Sequence, residues 1–202
     1  MQKKKRIIFF GDSITEFASR PGGYISEIQQ IINNNKKESS YELLNAGVSS
    51  NKIYDLYLRI EDDVINKNPD LVVIFIGVND VWHKRSLGTG TDADKFQRFY
   101  NAVIDKLTKK NIKVILCTPA AIGEQRVNEL DQDLDKYCDI VRAVGSYNDV
   151  PVVDLRKAFT SYESKNNPGN VPTGILTVDG VHLNDKGNHL VAEEMWRVIS
   201  AK

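Results

Sequence analysis

The sequence predicts an α/β fold on a mostly parallel, five-stranded sheet. Two observations carry this. Five short apolar runs recur along the 202 residues, each followed by a stretch of helical period. Three of the runs are near-continuous Val, Ile, Leu and Phe with little polar alternation, the pattern of strands covered on both faces. Strand one is Arg6–Phe10, and it stops at Gly11-Asp12-Ser13. Strand two, Tyr41–Asn45, stops at Asn45-Ala46-Gly47. A helix follows with Ile53, Tyr57, Ile60 and Val64 on one face. Strand three, Leu71–Ile76, runs into Gly77-Val78-Asn79-Asp80. The next helix carries Phe96, Phe99, Val103 and Leu107, with Thr91 or Asp92 as its cap. Strand four is Ile112–Cys117, and Cys138 falls in the helical pattern after it. Strand five is Pro151–Leu155. Residues 156–178 show no clear sheet strand. A terminal helix with Leu190, Val191, Met195 and Val198 starts at an Asn184 cap. No internal repeat and no second domain is evident, so residues 1–202 are expected to form one domain.

Composition excludes several classes. Lys plus Arg and Asp plus Glu each number 27, so no net field draws the chain to nucleic acid or an anionic membrane. The run Lys3-Lys4-Lys5-Arg6 reads as a solvated lead-in to strand one. Ile7-Ile8-Phe9-Phe10 is too short for the apolar core of a signal peptide, and no run approaches a membrane span. The chain as given is expected to be cytoplasmic; a leader removed upstream would make it secreted or periplasmic. Cys117 and Cys138 are expected as buried free thiols, and Cys138 has no partner at metal-ligand spacing.

In open α/β sheets, ligands gather at the carboxyl ends of the strands, where strand order reverses. Ser13, Gly47 and Asn79 follow strands one, two and three. With the order 2-1-3-4-5, taken as a working arrangement, Gly47 and Asn79 flank Ser13. The connection over 156–178 is long enough to return Asp179 and His182 over the same point. A serine hydroxyl is a weak nucleophile until an imidazole takes its proton and a carboxylate fixes the imidazole tautomer. All three residue types are present, in the order Ser…Asp…His. Each also has a plainer role. Ser13-Ile14-Thr15-Glu16 fits a capping box, Gly47 a left-handed turn, Asn79-Asp80 a turn dipeptide, and His182 an ordinary loop position.

At these residues the chain resembles the SGNH, or GDSL-type, esterase and lipase superfamily. The matching blocks are Gly11-Asp12-Ser13-Ile14-Thr15, Asn45-Ala46-Gly47, Gly77-Val78-Asn79-Asp80 and Asp179-Gly180-Val181-His182. They occur in the family's order and span nearly the whole chain. One departure is Leu183, where many members carry proline. The resemblance implies a three-layer, flavodoxin-like α/β/α sandwich and acyl-ester hydrolysis without metal or organic cofactor. Carried over by position, Ser13 is the nucleophile, His182 the base and Asp179 its orienting partner. The Ser13 and Gly47 amides and the Asn79 side chain form the oxyanion hole.

Two segments, Val81–Thr91 and Pro119–Val127, are expected to rim the pocket as loops, with Trp82, Leu87 and Ile122 as isolated apolar groups. Trp82 and His83 are candidate pocket residues; His189 is expected to be exposed. The polar rim favours a short acyl chain, such as acetyl on a sugar. Lysophospholipase and thioesterase activities belong to the same superfamily. From other classes come a phosphatase using Asp12 and a non-catalytic carbohydrate- or partner-binding module.

Overall fold

A computed structural model describes residues 3–126 and 128–201, and contains a five-stranded sheet in the order β2-β1-β3-β4-β5 with every neighbouring pair parallel. The strands are β1 (Lys5–Gly11), β2 (Tyr41–Gly47), β3 (Leu71–Phe75), β4 (Lys113–Cys117) and β5 (Val152–Val153). The helices are α1 (Ser13–Glu16), α2 (Tyr24–Asn34), α3 (Ile53–Asp63), α4 (Val78–Ser86), α5 (Ala93–Thr108), α6 (Glu129–Tyr147), α7 (Leu155–Asn166) and α8 (Asp185–Ile199). The α2 and α8 helices pack on each other, as do α3 with α5 and α5 with α6. Right-handed crossovers then put α3, α5 and α6 on one face of the sheet and α2 with α8 on the other.

The β3 strand is buried at all five positions, and β1 from Ile7 onward. This is why those strands read as unbroken apolar runs. The core between sheet and helices includes Phe9, Phe10, Tyr24, Phe96, Tyr100 and Phe159, all inaccessible to solvent. Cys117 and Cys138 are buried and free. Among the described residues, no helix is long and apolar enough to cross a membrane.

The structure corrects several local expectations. Strand five shrinks to two residues. Pro151 has no N–H for the ladder, and Asp154 turns away to accept from the Lys157 amide at 3.1 Å, starting α7 at Leu155. The helical stretch expected after strand five is α7, whose bounds the sequence blurs because its buried face is half polar: Leu155 and Phe159 lie beside Arg156 and Glu163. Arg156 is satisfied by Asp131 at 2.5 Å and Asp135 at 2.7 Å, both on α6. Of the expected rim loop Val81–Thr91, the part through Ser86 belongs to α4; residues 87–91 are irregular. Ile122 is buried in the core, whereas Leu87 is exposed. Val127, the end of the second expected rim segment, lies outside the described residues. Asp92 stands at the start of α5 without capping it; its carboxylate pairs with Lys84 and Lys95 instead. Asn184 does cap α8, accepting from the Gly187 amide at 3.0 Å.

Candidate active site

At the carboxyl end of β1 the chain turns directly into α1. Asp12 occupies the cap and accepts from the Ile14 amide at 3.0 Å. Ser13 is therefore the first residue of the helix and not its cap. Its would-be box partner, Glu16, accepts from the Ser49 amide at 2.6 Å. Ser13 is 8% exposed, and its Oγ stands 3.0 Å from His182 Nε2.

His182 and Asp179 share one tight turn. His182 Nδ1 stands 2.6 Å from Asp179 Oδ2, and Asp179 Oδ1 accepts from the Val181 and His182 amides at 2.9 and 2.7 Å. A carboxylate can only accept, so Nδ1 carries the ring hydrogen and Nε2 is left to accept from Ser13. Partial burial pushes the Asp179 carboxyl up, but the hydrogen bonds from the His182 ring and the two amides outweigh it and hold the carboxyl below its usual range. The His182 and Asp179 side chains keep 28% and 47% of their exposure, so this edge of the site faces solvent. The Phe17 ring lies 5.7 Å from that of His182, and the Arg20 guanidinium lies over the Phe17 ring, 4.0 Å from its centroid.

Gly47 ends β2 opposite Gly11. Its φ is not left-handed; a close approach is what demands glycine here. A Cβ at Gly47 would stand 2.1 Å from the Glu16 amide nitrogen, so any side chain would drive α1 off the strand. The Gly47 N–H is donated to Asn45 Oδ1 at 2.8 Å. The Asn45 amide, in turn, ties α1 down through the Thr15 carbonyl at 2.7 Å and holds the turn that follows α1 through Ser19 Oγ at 2.9 Å.

Asn79 is buried in the first turn of α4, at the carboxyl end of β3, the neighbour of β1. It gives one amide hydrogen to the Asn51 carbonyl at 3.1 Å, and a second remains on the same nitrogen. Asp80 accepts from the Ile53 amide at 3.2 Å and so locks the start of α3. Burial pushes the carboxyls of Asp12 and Asp80 up to about 7. Asp12, only 2% exposed and committed to the Ile14 amide, is not presented to a phosphoryl group.

Trp82 and His83 lie one turn beyond Asn79, both half-buried, with ring centroids 5.6 Å apart. Burial, followed by the charge of Lys52, lowers the His83 pKa. His189 lies on α8, away from this turn, beside Glu27 and Glu193.

Two supporting residues have no local signature in the sequence. Arg59 on α3 reaches the Gly11 carbonyl at 2.8 Å, the Ala46 carbonyl at 3.0 Å and Asn51 Oδ1 at 2.6 Å, clamping the strand ends before Ser13 and Gly47. Glu124, after β4, is buried against the connection that leads to Asp179.

The chain matches the GDSL-like Lipase/Acylhydrolase family over residues 9–190. It is 58% identical to the acetyl xylan esterase AlAXEase, whose crystal structure has a TM-score of 0.94, with 96% of this chain and 99% of that one covered. An acetylxylan esterase of Geobacillus stearothermophilus is 28% identical over 210 residues, or 96% of this chain and 94% of the relative. The crystal structure of a catalytic mutant of an acetylxylan esterase from the same organism, with one serine replaced by alanine, is similar at TM-score 0.86 and 26% identity, covering 98% of this chain and 96% of that one. On this match, which runs from the carboxyl end of β1 through the other four strands and takes in both ends of the serine–histidine–aspartate arrangement, the chain belongs to the GDSL-like lipase/acylhydrolase family.

Proposed function

We propose that residues 1–202 form one serine ester hydrolase domain that removes short acyl groups, acetyl foremost, from a carbohydrate. The observation that carries this is the continuous relay from Ser13 Oγ through His182 to Asp179, at 3.0 and 2.6 Å. Ser13 attacks the ester carbonyl carbon while its proton passes to His182 Nε2. The carbonyl oxygen becomes an oxyanion, stabilised by the Ser13 amide and by the free hydrogen of the Asn79 amide. The Gly47 amide joins them by sharing its hydrogen between Asn45 and the oxyanion. As the intermediate collapses, the bond to the alcohol oxygen breaks and His182 returns the proton to it. Water then repeats the sequence on the acyl-serine, and Ser13 is regenerated.

The substrate class rests on three supports. Relatives named as acetylxylan esterases match over nearly the full chain. The half-exposed edge of the site leaves room for a bulky alcohol portion, and Trp82 and His83 offer rings against which a sugar can lie. The test is a panel of p-nitrophenyl acetate, p-nitrophenyl decanoate and acetylated xylo-oligosaccharides, with Ser13→Ala as control. Turnover of acetyl esters, stoichiometric labelling of Ser13 by a fluorophosphonate and loss of both in Ser13→Ala are expected. A preference for the decanoate would overturn the substrate class, and full activity in Ser13→Ala would overturn the mechanism.

A further inference from the structure

Asp179 and His182 do not lie at a strand end. They sit on the connection between α7 and α8, outside the sheet, so something other than the β-ladder must fix them. The turn has internal supports: the Val178 amide donates to the His182 carbonyl at 2.8 Å, and Thr177 bridges Leu183. Those contacts hold the turn together without fixing its distance from Ser13.

Part of the external fixing comes from the α8 cap, where Asn184 donates its backbone amide to the Leu176 carbonyl at 3.0 Å and its side-chain amide to the Thr177 carbonyl at 3.3 Å. The rest comes from Glu124, which is 1% exposed. One carboxylate oxygen, Oε1, accepts from the Leu176 and Thr177 amides, both at 2.6 Å, and from Thr177 Oγ1 at 2.9 Å. Oε2 accepts from the Ile175 amide at 2.8 Å. Thr177 Oγ1 in turn accepts from the Gly180 amide at 3.0 Å, inside the Asp179–His182 turn. The flanking backbone adds two bonds, from the Gly123 amide to the Gly180 carbonyl at 2.8 Å and from the Glu124 amide to the Pro172 carbonyl at 2.9 Å. Asn167 at the end of α7 ties the Glu124 carbonyl and Val171 together. Gly180, with φ +94°, lies against Gly123, where a Cβ would come within 3.2 Å.

We infer that Glu124 is a positioning residue for the reaction, setting the His182–Ser13 distance by holding residues 175–177 and, through the Thr177 hydroxyl, the acid–base turn. This rests on the roles proposed above for Ser13, Asp179 and His182. The four donors converging on Glu124 require an acceptor at every point. A glutamine there can meet one set only, leaving its NH2 facing an N–H. The turn then loses its fixed distance to Ser13, where a displacement near 1 Å can cost about 10²-fold in rate.

The experiment compares Glu124→Gln, Thr177→Val and Thr177→Ser for kcat and KM on p-nitrophenyl acetate, with thermal unfolding followed in the same buffer. Glu124→Gln and Thr177→Val are expected to stay folded at the assay temperature, with kcat down ~10–100-fold and KM within about twofold. Thr177→Ser, which keeps the hydroxyl, should recover most of the kcat lost in Thr177→Val. A folded Glu124→Gln with parental kcat overturns the inference, as does an equal loss of kcat in both Thr177 variants. If Glu124→Gln fails to fold, the Thr177 pair decides. Ser13→Ala separates the two levels. Retained turnover there removes the esterase mechanism itself; abolished turnover beside an unimpaired Glu124→Gln removes only the positioning role.

Discussion

Replacing Asp179 by asparagine exchanges one oxygen for NH2 and should reverse the hydrogen-bond polarity of the whole relay. Asp179 Oδ1 accepts from two backbone amides, while Oδ2 faces His182 Nδ1 at 2.6 Å. The two amides demand an acceptor, so the new side chain must put its oxygen toward them and its NH2 toward the ring. Nδ1 then becomes an acceptor and the ring proton moves to Nε2. Ser13 now faces a donor that cannot take its proton. In a fully buried triad this substitution costs about 10⁴ in kcat. Here the Asp179 side chain is 47% exposed, so water competes for the ring and enforces the wrong tautomer less strictly. The expected loss is ~10³–10⁴, about 4–5.5 kcal/mol of barrier. Asp179→Ala should lose less, because no amide donor then selects against the productive tautomer. The assay is kcat on p-nitrophenyl acetate for both variants, with folding checked by circular dichroism. An asparagine variant within tenfold of the parent would refute the reasoning, as would an alanine variant much slower than the asparagine one.

Other perturbations separate the remaining contributions. Asn79→Ala removes one oxyanion donor and should lower kcat by ~10²–10³ with the fold intact; a loss under threefold would remove Asn79 from the oxyanion hole. Arg59→Lys cannot reproduce the fork onto Gly11, Ala46 and Asn51, and should cost about 2–3 kcal/mol in urea unfolding as well as kcat. Unchanged stability would show that the clamp is dispensable. Glu163 gives a pH test. Burial, then the charge of Glu124, raises its carboxyl to about 7, with Arg156 opposing and Asp131 reinforcing the shift. A carboxyl that binds its proton more tightly in the folded state favours folding most below its unfolded value near 4.5, and that contribution is lost as pH rises through about 7. Glu163→Gln should therefore flatten the fall in unfolding temperature between pH 5 and 8; a parallel curve would refute the assignment.

The parts legible in the sequence are those governed by local rules. Unbroken apolar runs marked β1, β3 and β4 because both faces of each are covered, and Asn184 announced α8 because a cap acts within three residues. Ser13, Asp179 and His182 were visible because each lies in a short block of family resemblance, and the blocks occur in the family's order; taken singly, serine and aspartate are ordinary turn residues. The structure brings the three within hydrogen-bonding distance. Glu124 and Arg59 were invisible for the opposite reason. The amides held by Glu124 lie 51 to 53 residues away, and the carbonyl of Gly11 lies 48 residues from Arg59. A buried charge satisfied by remote backbone leaves no periodicity and no motif. A helical stretch after strand five was expected, but the bounds of α7 were not legible, since Arg156 and Glu163 occupy buried positions where a helical pattern calls for apolar residues.

The site consequently has two halves with different mechanical origins. Ser13, Gly47 and Asn79 inherit their positions from β1, β2 and β3, whose parallel register fixes them to one another. Asp179 and His182 inherit nothing from the sheet, but being three residues apart they move as one body, with the carboxylate bound to the backbone of its own turn. Motion of that turn would preserve the Asp179–His182 bond and sacrifice the His182–Ser13 contact. The tautomer is thus secured locally, whereas the proton-transfer distance depends on contacts from outside the turn. That division explains why a buried carboxylate with four donors belongs beneath the acid–base turn, while the nucleophile is held at strand ends gripped by a guanidinium, with Asn45 tying α1 to β2.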